Sequence, residues 1–347
     1  MKRHLLFLAA LLIVNLAAYA QKKFSVYAVG FYNQENLFDT CHDEGKKDYE
    51  YLPNKGWNGM KYTNKLRNMS KALADMGTDV LPNVGCAFIG LSEVENHKVL
   101  DALVDQAPLK ARNMKYVHIE GPDRRGIDCA LLYNPSLFSV KNVKLLPYVQ
   151  ELAKDSAFFT RGFLTVRGEM AGDDVAVIVC HWPSRFSGPF YRESAARQVK
   201  VIKDSLLNVN QEMKIFVMGD MNDDPVNKSM HVYLQAKPEI SQVGAGDMYN
   251  PWYNVLAKEG KGTLFYSGNW NLFDQIVITP NLLNKDAKKK DYSSLKYWKS
   301  HIFRRDYLIQ KEGQYKGAPL RTTAGGRWLN GYSDHLPVVM YLVKEKR

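Results

Sequence analysis

Residues 214–225, KIFVMGDMNDDP, set Asp220, Asn222, Asp223 and Asp224 directly after the apolar run 215–218 and Gly219. Carboxylates this close repel one another unless a cation or a proton offsets part of the cost. Taken alone, a solvated Asx-rich turn explains the stretch as well as a site does. The same arrangement recurs along the chain, however. Asn33 and Glu35 follow the run 24–31, Glu93 follows 87–91, and His181 closes 175–180. Asp274 lies near the start of 272–278, and Asp334 with His335 precedes 338–343. The carboxylates and amides offer hard oxygen ligands, which suit Mg²⁺, Mn²⁺ or Ca²⁺ better than zinc.

A strand that ends in polar residues holds them on a rigid edge, where a site can be built. If the first strand stays extended, Asn33 and Glu35, two apart, face the same side. Apolar spacing predicts helices over 60–76 (Leu66, Met69, Leu73, Met76), 99–107 and 192–207 (Ala195, Val199, Ile202, Leu206). Strands are expected at 129–133, behind Arg124 and Arg125, and at 163–168 and 175–180, a hairpin around Gly172-Asp173-Asp174. Residues 39–56 are polar and read as a loop. Strands alternate with hairpins as well as with helices, so a regular parallel βαβ array is excluded.

Residues 1–20 differ in kind. Lys2, Arg3 and His4 precede an apolar run that ends in Ala18-Tyr19-Ala20, the pattern of a secretory signal peptide cleaved before Gln21. The run is too short for a permanent membrane span, and no cysteine follows the site to carry a lipid. Export to the periplasm or beyond is therefore expected, with one domain over 21–347. Losing Lys2 and Arg3 from 47 basic residues leaves 45 against 36 acidic, a net charge of +9 that favours polyanions. Residues 285–305 interleave Lys288, Lys289, Lys290, Lys296, Lys299, Arg304 and Arg305 with Tyr292, Tyr297 and Trp298, the composition of a polyanion-binding loop or of an ordinary solvated one. Cys129 and Cys180 sit in apolar runs as small hydrophobes. Cys41 and Cys86 are candidates for a disulfide whose connectivity sequence cannot set.

YNQENLFD, GLSEVEN, RGIDCALLYN, CHWPSR, GDMNDDP, FDQIVIT and GYSDHLPV, in this order, resemble the motifs of the endonuclease/exonuclease/phosphatase superfamily, the deoxyribonuclease I-like fold. The resemblance covers nearly all of 21–347, and GDxN and SDHxP are its most specific pieces. It implies an α/β (α+β) fold: a two-sheet β-sandwich flanked by helices, with the site at one end. It also implies that Glu93 is the principal Mg²⁺ (or Mn²⁺, or Ca²⁺) ligand, with Asn33, Glu35 and Asp334 around the metal or its waters. Asp220 matches the residue that orients or deprotonates the attacking water, and Asn222 an amide that contacts phosphate. His335 paired with Asp274 matches the second half of the site, and His181 the other histidine near the scissile phosphate. Arg125 and Arg185 are candidate phosphate contacts, since the guanidinium fork fits that group.

In-line attack on a phosphodiester builds negative charge on non-bridging oxygens, so a cation and imidazole or amide donors must already be in place. The expectation is a monomeric, exported, divalent-metal-dependent phosphodiesterase, with nucleic acid as its leading substrate and no stable membrane insertion. A sphingomyelinase-like or other phospholipid or small-molecule phosphodiesterase is the rival. Against an inositol 5-phosphatase, GDMNDDP lacks the aromatic-Arg continuation and FDQIVIT lacks that branch's Trp-Cys-Asp-Arg signature. A catalytically dead binding relative would have lost the acidic set, and none is lost.

Overall fold

The computed structural model describes residues 23–149, 151, 160–286 and 288–346; the expected signal peptide lies outside them. Strands β1 (Phe24–Leu37), β2 (Phe88–Val94), β3 (Lys115–His118), β4 (Asp128–Tyr133), β5 (Phe138–Leu146) and β6 (Phe163–Met170) come first. They are followed by β7 (Asp173–His181), β8 (Lys214–Asp220), β9 (Ala236–Lys237), β10 (Met248–Tyr249), β11 (Leu264–Tyr266) and β12 (Asn269–Asn271). The last are β13 (Asp274–Ile278), β14 (Lys296–Ile302), β15 (Thr323–Ala324), β16 (Arg327–Trp328) and β17 (Val338–Glu345).

One sheet runs β14-β17-β1-β2-β4-β3 and the other β5-β6-β7-β8-β13-β10-β9. Both are mixed. Strand pairs β1–β2 and β7–β8 are parallel, whereas β1–β17 and β8–β13 are antiparallel. The inner faces meet in a core in which Phe88 of β2 packs edge-on against Phe216 of β8, ring centroids 5.6 Å apart. Fully burying one such ring stabilises the fold by about 1.5–3 kcal/mol.

Helices cover both outer faces. Helix α1 (Gly59–Asp75) begins at Asn58, whose side chain accepts from Lys61 N, and buries Leu66, Met69 and Leu73. It is joined there by α2 (His97–Val104) and α3 (Ala107–Ala111). Apolar spacing predicts a single helix over 99–107, but the chain turns at Gln106, which is extended, and restarts with Pro108 in its first turn. On the other face α4 (Pro189–Val209) packs Ala195, Ala196 and Val199 against β7 and β8. Residues 253–257 add a short α5 (Tyr253–Ala257).

Two expectations need correction. A third of the basic stretch 285–305 is not loop: β14 pairs with β17 as the edge of the six-stranded sheet. Trp298 and Lys299 are both exposed at a register shift on this edge strand, so its burial does not alternate, and the lysine density hid the strand. Cys41 and Cys86 are both free, one exposed and the other in the apolar layer under α1. The hairpin β6–β7 does turn at Ala171 and Gly172, both at positive φ. Among the described residues no helix is long and apolar enough to cross a membrane.

Candidate active site

Register brings the polar strand ends to one edge of the sandwich. His181 at the end of β7 stands opposite Asp220 at the end of the parallel β8, and Asp274 opens β13 opposite the same Asp220. Across the core, Asn33 on β1 pairs with Ser92 on β2, one residue before Glu93. Asp334 and His335 lie just before β17, whose Val338 pairs with Phe31. Strand direction explains the convergence: β1, β2, β7 and β8 arrive at this edge, while β13 and β17 depart from it.

Gly219 lets β7 and β8 come this close. A Cβ there would stand 2.2 Å from Cys180 O. Elsewhere the backbone is held under strain. Glu35, Asn36, Glu93 and Asn222 have φ between +45° and +60°, and nine non-glycine residues share that region among those described. Such conformations cost about 1–3 kcal/mol each and persist where surrounding structure over-determines them.

Asp220 is the hub. Its Oδ2 accepts from Asn33 Nδ2 at 3.0 Å, and its Oδ1 accepts from Asn222 N at 2.9 Å. His181 Nε2 lies 3.7 Å from both Asp220 Oδ2 and Glu93 Oε1. His335 Nε2 lies 3.8 Å from Asp220 Oδ2 on the other side, while its Nδ1 meets Asp274 Oδ2 at 2.6 Å. Burial raises the Asp220 carboxyl to about 6, with His335 opposing the shift.

The two imidazoles are pushed apart. Burial, then Arg161 and Arg125, hold His181 well below the ordinary histidine value. Burial works against charge on His335 too, but Asp274 and Asp220 overcome it and raise that ring well above the ordinary value. The two rings thus sit in opposite surroundings, His181 beside arginines and His335 beside carboxylates.

Glu93, His181 and Asp220 form a group whose ligand atoms lie within 4.8 Å of one another. Glu93 Oε2 is steadied by Asn36 N at 2.9 Å, which leaves Oε1 facing His181. The buried Nδ1 of His181 and Oδ1 of Asp274 have no protein partner among the described residues. Two carboxylates and an imidazole around one point fit a divalent cation.

Other expected ligands are arranged differently. Glu35 does not continue in line with Asn33, because the chain turns to positive φ there and the register shifts between Asn33 and Leu37. Asn33 Oδ1 accepts from Glu35 N at 2.8 Å, so both ends of that amide are engaged within the chain. Glu35 Oε2 accepts from Thr322 N at 2.6 Å, and Arg321 bridges Glu35 to Asp334. Burial and then the charge of Asp334 raise Glu35 to about 7. Asn222 Nδ2 donates to Trp182 O at 3.0 Å, which leaves one N–H of that amide free for substrate. Arg185 is engaged by Asp224, Asn227, Asn271 and Asn222 O and lies over the Phe273 ring, clamping the 222–227 turn. Arg125 is exposed and close enough to depress His181.

Arg161 and Arg321 escaped the sequence reading. Arg161 is buried between Asp123 Oδ2 at 2.9 Å and Trp182 O at 3.1 Å, beside His181. Neither arginine has a local pattern, since each meets its partners only through tertiary contact. A cavity of about 550 Å³ lined by Phe265, Trp270, Arg304 and Leu336 contains none of the cluster residues.

Residues 28–344 match the family model described as Endonuclease/Exonuclease/phosphatase family. The chain belongs to that family. It is accordingly a metal-dependent phosphoester hydrolase, and its two mixed sheets flanked by helices are the family's sandwich. A Bacteroides thetaiotaomicron protein of this family superposes with a TM-score of 0.55 at 14% identity, covering 94% of this chain and 97% of that one. The B. thetaiotaomicron mannosyl-6-phosphatase Bt3783 gives 0.54 at 14%, with 91% and 99% covered. TDP2 from D. rerio complexed with single strand DNA product gives 0.53 at 11%, with 92% and 99% covered. At these identities the likeness speaks for the fold. A search of curated proteins finds no match.

Proposed function

We propose that the protein is an exported phosphodiesterase that hydrolyses nucleic acid by in-line attack of water. The observation that carries the reading is the placement of His181 and His335 on either side of Asp220, with Nε2 of each 3.7 and 3.8 Å from Asp220 Oδ2 and Asp274 behind His335. Glu93 would be the principal ligand of the divalent ion, Mg²⁺ or Mn²⁺, beside Asp220 and His181. When bound, that ion supplies Lewis-acid polarisation of a phosphoryl oxygen. Asp220 Oδ2, held by Asn33, accepts the proton of the attacking water. His335 Nε2 keeps its proton, because Asp274 fixes Nδ1, and presents it to the charge that develops on the phosphate.

Nucleic acid is favoured by two features. The chain keeps a net positive charge, and an aromatic row lies beside the cluster. Glu93 acts on the Tyr51 hydroxyl, Tyr51 packs edge-on to Trp57 at 5.7 Å, and Trp57 to half-buried Trp328 at 5.7 Å, with Lys61 over the Trp328 ring. Trp57 is buried and Tyr51 is stacked on Phe38, so Trp328, with Lys61 over its ring, is the member of the row suited to a base on a phosphate backbone. The same wall would stack on a sugar, which gives a sugar phosphate as the second reading.

An activity screen with Mg²⁺ or Mn²⁺ on DNA, RNA, sphingomyelin, phosphoinositides, mannose 6-phosphate and an aryl phosphodiester tests the substrate. Turnover of DNA or RNA well above the rest is expected, and sphingomyelin or mannose 6-phosphate leading the set would refute it. Intact mass of exported protein beginning at Gln21 is the matching test of export; a retained 1–20 segment counts against it.

A further inference from the structure

The cavity of about 550 Å³ at the hairpin β11–β12 lies behind His335. Leu264 of β11 pairs with His335 in an antiparallel bridge, and Leu336 N donates to Thr263 O at 2.8 Å. Paired residues on neighbouring strands share a side, and the next residue along each takes the other. Leu264 and His335 therefore face one way, while Phe265, its partner Trp270 and Leu336 face the other and line the cavity. The cavity is thus on the side of this segment away from the imidazole. Gly262 lets the walls close: Thr263 N donates to Asn271 O at 2.8 Å, and a Cβ at Gly262 would stand 2.3 Å from that oxygen.

The wall is aromatic and the rim is basic. Phe265 and Trp270 meet with ring centroids 5.3 Å apart, tilted by 60°, and both are only half-buried. Arg304 lies over the Trp270 ring at 6.0 Å, the outer limit of such contact. Its Nη2 donates to Gly317 O at 2.9 Å, which brings the guanidinium beside Lys316. Lys316 is exposed, and its ammonium has no partner among the described residues. Among the described residues lining the cavity Glu259 is the one carboxylate, and Lys261 Nζ already donates to it at 2.8 Å. His301 Nε2 is turned to Asp79 Oδ2, 2.8 Å away. Two cations therefore stand at an aromatic wall with no carboxylate of their own. That balance favours an anion, and the volume is that of a small-molecule site.

We propose that this cavity binds a nucleoside monophosphate, its base against Phe265 and Trp270 and its phosphate on Arg304 and Lys316. Aromatic faces stack on any base, and a guanidinium fork beside an ammonium matches a phosphate. Such a compound is what hydrolysis of nucleic acid releases, so the source of the ligand rests on that reading of the function. The site shares no residue with the catalytic cluster and meets His335 only through the backbone of 263–264 and 335–336.

The test is calorimetric titration with adenosine monophosphate, adenosine, inorganic phosphate and mannose 6-phosphate, in EDTA so that no cation binds the catalytic centre. It compares wild type with Arg304→Gln, Lys316→Gln, Trp270→Leu, Trp270→Phe and Asp220→Asn, with thermal melts alongside. Wild type should bind adenosine monophosphate more tightly than any of the other three. Arg304→Gln and Lys316→Gln should each weaken it about tenfold, and Lys316→Gln should leave adenosine unchanged. Trp270→Leu should weaken the monophosphate and adenosine alike, about tenfold. Trp270→Phe keeps a ring and should recover part of that loss. Asp220→Asn should bind as wild type does. Unchanged affinity in Arg304→Gln, Lys316→Gln and Trp270→Leu, or a loss confined to Asp220→Asn, would place the nucleotide elsewhere and overturn the proposal. Mannose 6-phosphate binding as tightly would overturn it too, because no base would be recognised. Hydrolysis of DNA or RNA without binding of the monophosphate would refute the cavity alone. Binding without that hydrolysis would refute only the nucleic-acid reading.

Discussion

Asp274 Oδ2 holds His335 Nδ1 at 2.6 Å, with both side chains buried, and so decides which nitrogen faces Asp220 and whether the ring is charged. Without that carboxylate, burial would drive the ring towards its neutral form. One contact therefore sets tautomer, orientation and charge together.

A bell-shaped pH profile of kcat/KM follows. The acid limb should reflect Asp220 and lie near or below pH 6, because a bound cation lowers that carboxyl further. The alkaline limb should lie well above the ordinary histidine value. Asp274→Asn should move the alkaline limb down by about one unit or more and lower activity about 100-fold or more at neutral pH. An alkaline limb that stays in place would remove His335 as its origin. Stability has a matching sign. A raised histidine stabilises the fold fully below about pH 6.5 and loses that contribution as pH rises through its folded value. The melting deficit of Asp274→Asn should thus be largest in acid and shrink in alkali.

Metal binding and proton transfer should separate by mutation. Glu93→Gln exchanges a charged ligand for a neutral one, so Mg²⁺ or Mn²⁺ affinity should fall and excess metal should restore part of the activity. Asp220→Asn should lose about 100-fold or more without such rescue, because the proton acceptor is gone. Metal titration of activity distinguishes them, and equal rescue of the two would reject the roles assigned.

Gly219→Ala should damage the site through the backbone. The added methyl meets Cys180 O, a carbonyl in the β7–β8 ladder that cannot swing aside. A cost of about 1–3 kcal/mol is expected, with Asp220 displaced from His181 and activity reduced beyond what the melt explains. A variant with wild-type melting and turnover would show that the strands tolerate wider spacing.

Salt dependence examines the basic stretch that ends in β14. Lys288, Lys289 and Lys290 are exposed. If they touch phosphate, neutralising all three should flatten the slope of log affinity against log salt by about one unit for each phosphate left without its lysine. An unchanged slope would mark them as a solvated turn.

The sequence by itself determined which residues stand at the strand ends. Apolar runs of strand length stop at Asn33, Glu93, His181 and Asp220, and a pattern of period and punctuation is local enough to read without a structure. The helix over 59–75 and the β6–β7 hairpin were legible for the same reason. Pairing was not. Whether Asp274 meets His335, and whether Glu35 follows Asn33 or turns away to Thr322, depends on register and on a change of φ sign at Glu35. Arg161 reaches Asp123 and the Trp182 carbonyl, and Arg321 stands between Glu35 and Asp334, across separations along the chain that leave no local trace. Tertiary structure decided the charges too. The same imidazole is driven neutral at His181 beside two arginines and charged at His335 beside two carboxylates, because buried electrostatics depends on what packs around a group.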